Sequence, residues 1–181
     1  MTPIVLLERL KEFIQENTKD IILSVRPVKL KTIPEPEAKG KKSPAGGDKE
    51  ITHRAAEVHL MRLPDKEAET QRIPYIVLQC LTGRDEHKPE EDEDSTTSIR
   101  IIVVTYSDND SEGALDVLNV ITRIRVALMK AGVIGEQFFL RKPLEFYIYP
   151  DDTQPYFMGE MMTVWEMPTL RREVHTHYVE S

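Results

Sequence analysis

Acidic residues have the best spacing for chemistry in this 181-residue chain. One group lies in the segment Ser-Asp-Asn-Asp at 107–110, and a second is the pair Asp151 and Asp152. Carboxylates that follow a buried strand can hold a divalent ion, so Asp108 and Asp110 raise the hypothesis of a metal-dependent nuclease. However, Asp and Asn before a helix are common turn and capping residues, and no further acid, lysine or general base follows at a recognisable spacing. We favour this structural interpretation and predict no catalytic residue.

Histidine and cysteine offer little further chemistry. Of the five histidines, only His175 and His177 are closely spaced, and they lie in a C-terminal segment that we expect to be frayed. Cys80 is the one cysteine, so neither an intrachain disulfide nor a multi-cysteine metal site can form. It lies in an apolar run, which predicts a small buried hydrophobic residue. Phosphate-loop, dinucleotide-binding and nucleophile-elbow motifs do not occur, and we predict no metal and no cofactor.

The composition is that of a soluble protein with an acidic balance. Hydrophobic residues make up 40% and charged residues 30%, and the formal net charge is -7. This charge argues against a surface that coats nucleic acid, which normally carries a basic face. No apolar run approaches the ~18 residues of a membrane span, and the amphipathic start lacks a signal-peptide pattern. We therefore expect no membrane association. We also expect the protein to be assembled in a reducing cytoplasm.

Apolar periodicity predicts two principal helices. The first covers residues 3–17, with one packing face made of Leu6, Leu7, Leu10, Phe13 and Ile14. The second is capped by Asp110 or Ser111 and stopped by Gly132. Its predicted packing stripe consists of Val117, Leu118, Ile121, Ile124 and Leu128.

The strands and loops between these helices complete a predicted α+β fold. Strands are expected within residues 20–27, 55–64, 73–83, 99–106, 137–150 and 154–168. Polar, apolar-poor segments predict a mobile insert at 34–52 and an acidic loop at 83–98. The order of elements predicts a mainly antiparallel β-sheet packed against two principal α-helices, in a single domain at 1–170 with a tail at 171–181.

The segment QPYFMGEMMTVWEMP at 154–168 predicts a strand with two different sides. One side is nearly all apolar and should face the core: Phe157, Gly159, Met161, Thr163, Trp165 and Met167. The other side mixes apolar and acidic residues, as a surface covered by a partner would, although ordinary packing remains the alternative. Our candidate partner-binding residues are Met158, Glu160, Met162 and Val164 of this side, Asp108, Asp110, and Glu91, Asp92 and Glu93 of the acidic loop.

Two runs of the sequence resemble the tail terminator, or tail completion, proteins of long-tailed bacteriophages and their prophages. They are IRIIVVTYSDNDSEGALDVLNVITRIRVALMKAG and FFLRKPLEFYIYPDDTQPYFMGEMMTVWEMP. In that group a strand ends in a short acidic turn and leads into a helix with glycine, aspartate and Leu-Asn at the spacing found from Gly113 to Asn119. A closing strand with Pro-Tyr-Phe and a tryptophan follows, and the resemblance covers residues 55–168.

The resemblance implies a non-enzymatic virion protein that forms a ring, commonly a hexamer. Such a ring caps the head-proximal end of the tail tube, stops polymerisation of the tail-tube protein and offers a docking face to the head connector. DNA would pass through the ring without specific binding, helped by an acidic lumen, and assembly would take place in the cytoplasm of the bacterial host. Alternatives are another head-tail joining (neck) component, a tail-tube-like subunit and, in a different class, the nuclease with Asp108 and Asp110.

Overall fold

The computed structural model describes five stretches of the chain: residues 2–25, 53–64, 73–86, 94–149 and 154–169. The elements in these stretches are α1 (Pro3–Thr18), β1 (Leu23–Ser24), β2 (His53–Arg54), β3 (Glu57–Leu60), β4 (Tyr75–Glu86), β5 (Asp94–Tyr106), α2 (Asp110–Ala131), β6 (Val133–Ile134), β7 (Phe138–Tyr149) and β8 (Tyr156–Glu166). The insert predicted at 34–52 and the tail predicted at 171–181 lie outside the described residues.

The described strands form one large sheet and one small ribbon. The order across the six-stranded sheet is β3, β4, β5, β8, β7 and β6. All neighbours in it are antiparallel except β3 and β4, which run parallel, and β1 pairs with β2 in the separate ribbon. The predicted α+β fold with a mainly antiparallel sheet and two helices is confirmed.

The hairpin of β4 and β5 is longer than predicted. The two strands pair continuously apart from one register shift after Cys80, from Tyr75 opposite Val104 to Glu86 opposite Asp94. The prediction of a loop over 83–98 is therefore wrong at both ends, and only residues 87–93 lie outside the described part. Residues 94–98 are polar but include β-branched threonines, which suit a strand, so polarity alone was a poor sign of a loop.

Both helices pack on the same face of the sheet. The fully buried large side chains of α1 are Leu6, Leu10 and Ile14, and those of α2 are Val117, Val120, Ile121, Ile124 and Leu128. They share one core with sheet residues that include Ile101, Met161 and Trp165. Because burial of each large apolar side chain stabilises by about 1.5–3 kcal/mol, this shared core fixes both helices on the sheet.

The bounds of α2 differ from the prediction at its start and agree at its end. The helix already includes Asp110, and the main-chain oxygen of Asn109 accepts hydrogen bonds from the amides of Glu112 and Gly113 at 3.2 and 3.1 Å. The cap predicted at Asp110 or Ser111 was therefore placed too late. At the other end, Gly132 has a φ of +65° and ends the helix as predicted.

Leu118 is the incorrect member of the predicted α2 packing stripe. It is 37% exposed, whereas Val117, Ile121, Ile124 and Leu128 are buried. By helical geometry it lies about 100° from the direction of the buried residues, so it belongs to a second apolar surface that periodicity merged with the first.

Candidate functional site

Strand β8 has one side that packs on the helices and one that does not. Its odd-numbered residues are all buried, as predicted: Phe157, Gly159, Met161, Thr163 and Trp165, followed by Met167. The even-numbered residues from Met158 to Val164 point away from the helices and are half-buried. Cross-strand pairing places side chains of β5 and β7 beside them. We call this surface the open face; it consists of Met158, Glu160, Met162 and Val164 with Arg100, Ile102, Tyr147 and Tyr149.

A charged network occupies the centre of the open face. The Arg100 guanidinium of β5 forms an ion pair with the Glu160 carboxylate of β8. From the other side, the Tyr149 hydroxyl of β7 donates to the second carboxylate oxygen at 2.8 Å. The Glu160 side chain is 14% exposed, so it needs these donors to offset its loss of water. The network ties the three neighbouring strands β5, β8 and β7 together.

One end of the open face is an aromatic cluster. The rings of Tyr106 and Tyr156 lie with centroids 6.0 Å apart, and Met158 packs against the same cluster. The Tyr106 hydroxyl donates to the Asp108 carboxylate, and Asp108 is itself exposed. The structure therefore brings Asp108 close to the Met158 end of the open face. At the border of the cluster, burial raises the pKa of the Tyr75 hydroxyl above its usual value.

The opposite end carries an ion-pair group that joins β5, β7 and β8. The Arg141 guanidinium donates to both carboxylate oxygens of Asp94, at 2.5 and 3.1 Å, and lies 3.6 Å from Glu166. Donation of a hydrogen bond to the Asp94 carboxylate raises the pKa of the Arg141 guanidinium above its usual value. Because these side chains are more than a third exposed, the group contributes to strand register more than to stability.

The remaining predicted acids do not assemble into a site within the described part of the chain. Asp110 starts α2, and Asp108 precedes it in a turn held by Ser107 and Asn109, so the turn interpretation of this segment is confirmed. No group of three or more histidine, cysteine, aspartate or glutamate residues is placed to hold a metal ion in the stretches that the structure covers. Of the predicted partner-binding residues, Glu91, Asp92 and Glu93 lie outside the described residues. The acidic pair Asp151 and Asp152 and the histidines His175 and His177 also lie outside them.

Sequence reasoning missed two exposed apolar surfaces. The first is the outer side of α2, with Leu115 61%, Leu118 37%, Val126 40% and Met129 41% exposed. The second is β7, where Phe139, Phe146 and Tyr147 are exposed. The α2 surface could have been found, since these residues repeat at helical spacing on the side opposite the core. The exposed apolar residues of β7 do not follow a regular alternation along the strand, because β7 shifts register between Arg141 and Glu145.

Comparisons with known proteins add no family to this description. No family model matches the chain, and a search of curated proteins finds no similar sequence. Among the helices of the described residues, neither is long and apolar enough to cross a membrane.

Proposed function

We propose that this chain is a non-enzymatic structural protein of a long-tailed phage or prophage. In this proposal copies of the chain form a ring that caps the head-proximal end of the tail tube. The ring stops addition of further tail-tube protein and gives the head connector a docking face. The resemblance of residues 55–168 to tail terminator proteins motivates the proposal, and the open face is the observation that carries it.

The open face has the composition of a protein-binding surface. Met158, Met162 and Val164 place adaptable apolar side chains around the fixed Glu160 network. Methionine adapts to partners of different shape, and a central charge pair with defined geometry gives such a contact its orientation. A surface of this kind supports binding and needs no reacting group.

The arrangement of surfaces also suits a ring. Ring contacts are heterologous, so each copy must present two different surfaces to its neighbours. Of the exposed aromatic residues of β7, Tyr147 belongs to the open face, whereas Phe146 lies on the side of the sheet that carries the helices. In our proposal the open face meets a neighbouring copy, and the ends of the sheet meet the tail tube and the head connector.

The acidic balance of the chain supports passage of DNA through such a ring. A net charge of -7 would repel DNA phosphates, so that the genome slides without specific binding. Charge reversal of Glu91, Asp92 and Glu93 to lysine tests this part. We expect slower DNA ejection from assembled particles and unchanged tail length; unchanged ejection would place these acids away from the lumen.

The proposed function is tested with the tail-tube protein of the same phage. We expect a substoichiometric amount of the chain to shorten the tubes that this protein forms, and electron microscopy to show a ring at one tube end. Tubes of unchanged length, with binding to the head connector alone, would indicate a neck component instead. Cleavage of DNA that depends on a divalent ion and on Asp108 would indicate the nuclease.

A further inference from the structure

The outer side of α2 carries an apolar stripe whose spacing is symmetric along the helix. The stripe consists of Leu115, Leu118, Thr122, Val126 and Met129, all exposed. Successive members are three, four, four and three residues apart, so the spacing is the same in both directions. At 3.6 residues per turn, all five lie within about 40° of the direction of Thr122. The stripe covers about 21 Å of the helix at 1.5 Å per residue.

This symmetry allows a second copy of α2 to dock on the first in the antiparallel direction. With a two-fold axis at Thr122, Leu115 of one copy meets Met129 of the other, and Leu118 meets Val126. Each large apolar side chain thus lies opposite another, as helix packing at a distance of 8–10 Å requires. A parallel arrangement would instead place Leu115 on Leu115 and would separate Glu112 of one copy from Lys130 of the other, because they would lie on opposite flanks of the pair.

Two of the charges beside the stripe, Glu112 and Lys130, suit the same antiparallel arrangement. Glu112 in the first turn and Lys130 in the last turn are both exposed. Helical geometry places both on one flank of the stripe, about 80° from its centre. In the antiparallel pair each Glu112 lies beside the partner's Lys130, with an offset of about 3 Å along the axis. The contact therefore contains two symmetric ion pairs of opposite charge.

We propose that two copies of this chain associate through α2 in this antiparallel, two-fold contact. One helix face per copy is small compared with the about 1,200–2,000 Å² of stable interfaces, so the dimer dissociates in the micromolar range or above. The inference does not rest on the proposed function, because the contact closes after two copies and lies on the side of the protein opposite the open face.

Charge exchange between Glu112 and Lys130 tests the contact. Sedimentation velocity over a concentration series should show a monomer–dimer equilibrium for the full chain at low salt. Glu112→Lys places two lysines together at each end and should weaken the dimer on the order of tenfold. The double variant Glu112→Lys with Lys130→Glu restores opposite charges and should recover the affinity of the original chain. Far-ultraviolet circular dichroism checks that each variant keeps its helices.

Oxidative cross-linking separates this contact from every other association. In a Cys80→Ser background, Thr122→Cys lies on the proposed two-fold axis and should form an intermolecular disulfide. The matched variant Glu8→Cys, exposed on α1, should cross-link at least roughly tenfold more slowly, by random collision. A monomer at all concentrations, association that ignores the charge exchange, or equal cross-linking of the two cysteines would each overturn the proposal. If the chain forms a ring although these experiments show no α2 contact, the proposed function stands and only the α2 contact is rejected.

Discussion

The two sides of β8 show how one strand can serve packing and surface chemistry at once. On the helix-packed side every residue is buried, and the polar atoms are satisfied locally: the Trp165 indole donates to the Thr163 hydroxyl at 2.9 Å, which donates to the main-chain oxygen of Ile99 at 3.0 Å. On the open face the central polar group, Glu160, instead draws its donors from the neighbouring strands through Arg100 and Tyr149.

This difference teaches which substitutions should affect folding and which should affect partners. A residue of the helix-packed side cannot change without leaving a cavity or a clash in a dense core. A residue of the open face such as Val164 is already partly exposed in the free chain, so its loss costs less in folding. Stability measurements on neighbouring residues of β8 can therefore break or support the assignment of the two sides.

Trp165→Ala should give the largest effect. The side chain is fully buried, and its removal also leaves the Thr163 hydroxyl without its donor. We expect a loss of about 3–5 kcal/mol in the free energy of unfolding, measured by urea denaturation. The adjacent Val164→Ala, on the open face, should cost about 1 kcal/mol or less. Equal losses for the two variants would contradict the division of the strand.

Gly113→Ala should have the next largest effect on stability. We expect it to destabilise the protein, whereas helix propensity alone predicts that it stabilises. A Cβ at this position would lie 2.1 Å from the Phe157 ring, so α2 and β8 would have to separate. We expect a loss of about 1–3 kcal/mol from overpacking, although alanine in an exposed helix stabilises by up to about 1 kcal/mol.

Partial rescue by Phe157→Leu provides the control for the Gly113 substitution. The smaller side chain relieves the clash, so the double variant should lose less stability than the sum of the two single variants. Additive losses would show that Phe157 does not set the requirement for glycine.

Glu160→Gln should have a moderate effect. The amide keeps the shape of the side chain but loses the charge that pairs with Arg100, at a site with little exposure. We expect a loss of about 1–2 kcal/mol in the free energy of unfolding. Glu145→Gln, on the exposed part of β7, is the matched control and should leave the stability within about 0.5 kcal/mol. A silent Glu160 substitution would mean that the network does not hold the strands.

Asp116→Asn should give the smallest effect, and one that depends on pH. Burial, and then repulsion by Glu112, raise the pKa of Asp116 above its usual value of 3.8. The folded state thus binds the proton more tightly than the unfolded state, and stability falls as pH rises from 3.8 through the raised pKa. At pH 7 the substitution should raise the melting temperature, by less than about 2 °C. The gain should vanish below pH 3.8, and a gain that persists there would contradict the electrostatic origin.

Much of the fold could be predicted from the sequence, because its elements carry strong periodic signals. The core side of α1 and the alternation of β8 follow from the spacing of apolar residues alone. The hairpin arms at 83–86 and 94–98 could not be predicted that way, since their stability comes from pairing along the register and not from burial. Strand β1 lies within the strand predicted at 20–27, whereas the two-residue strands β2 and β6 are too short to leave a pattern in the sequence.

The candidate site was predictable in part. The pattern of β8 identified Met158, Glu160, Met162 and Val164 as one side of a strand, and the structure places them together. It could not identify Arg100 and Tyr149 as partners of Glu160, because these residues are 60 and 11 positions away and meet only through strand pairing. Leu118 was misplaced because α2 has apolar residues on two sides, which a single stripe cannot describe.

The most direct test of the account is tail-tube capping by the Met162→Glu variant. Met162 lies on the open face opposite Arg100 of β5 and Glu145 of β7, so the new carboxylate would meet one charge of each sign. We predict a melting temperature within about 2 °C of the original chain and loss of both the ring and the shortening of tail tubes. Glu8→Lys on α1 should keep both activities. Full capping by Met162→Glu, with its fold intact, would contradict the claim that the open face is the contact surface of the assembly.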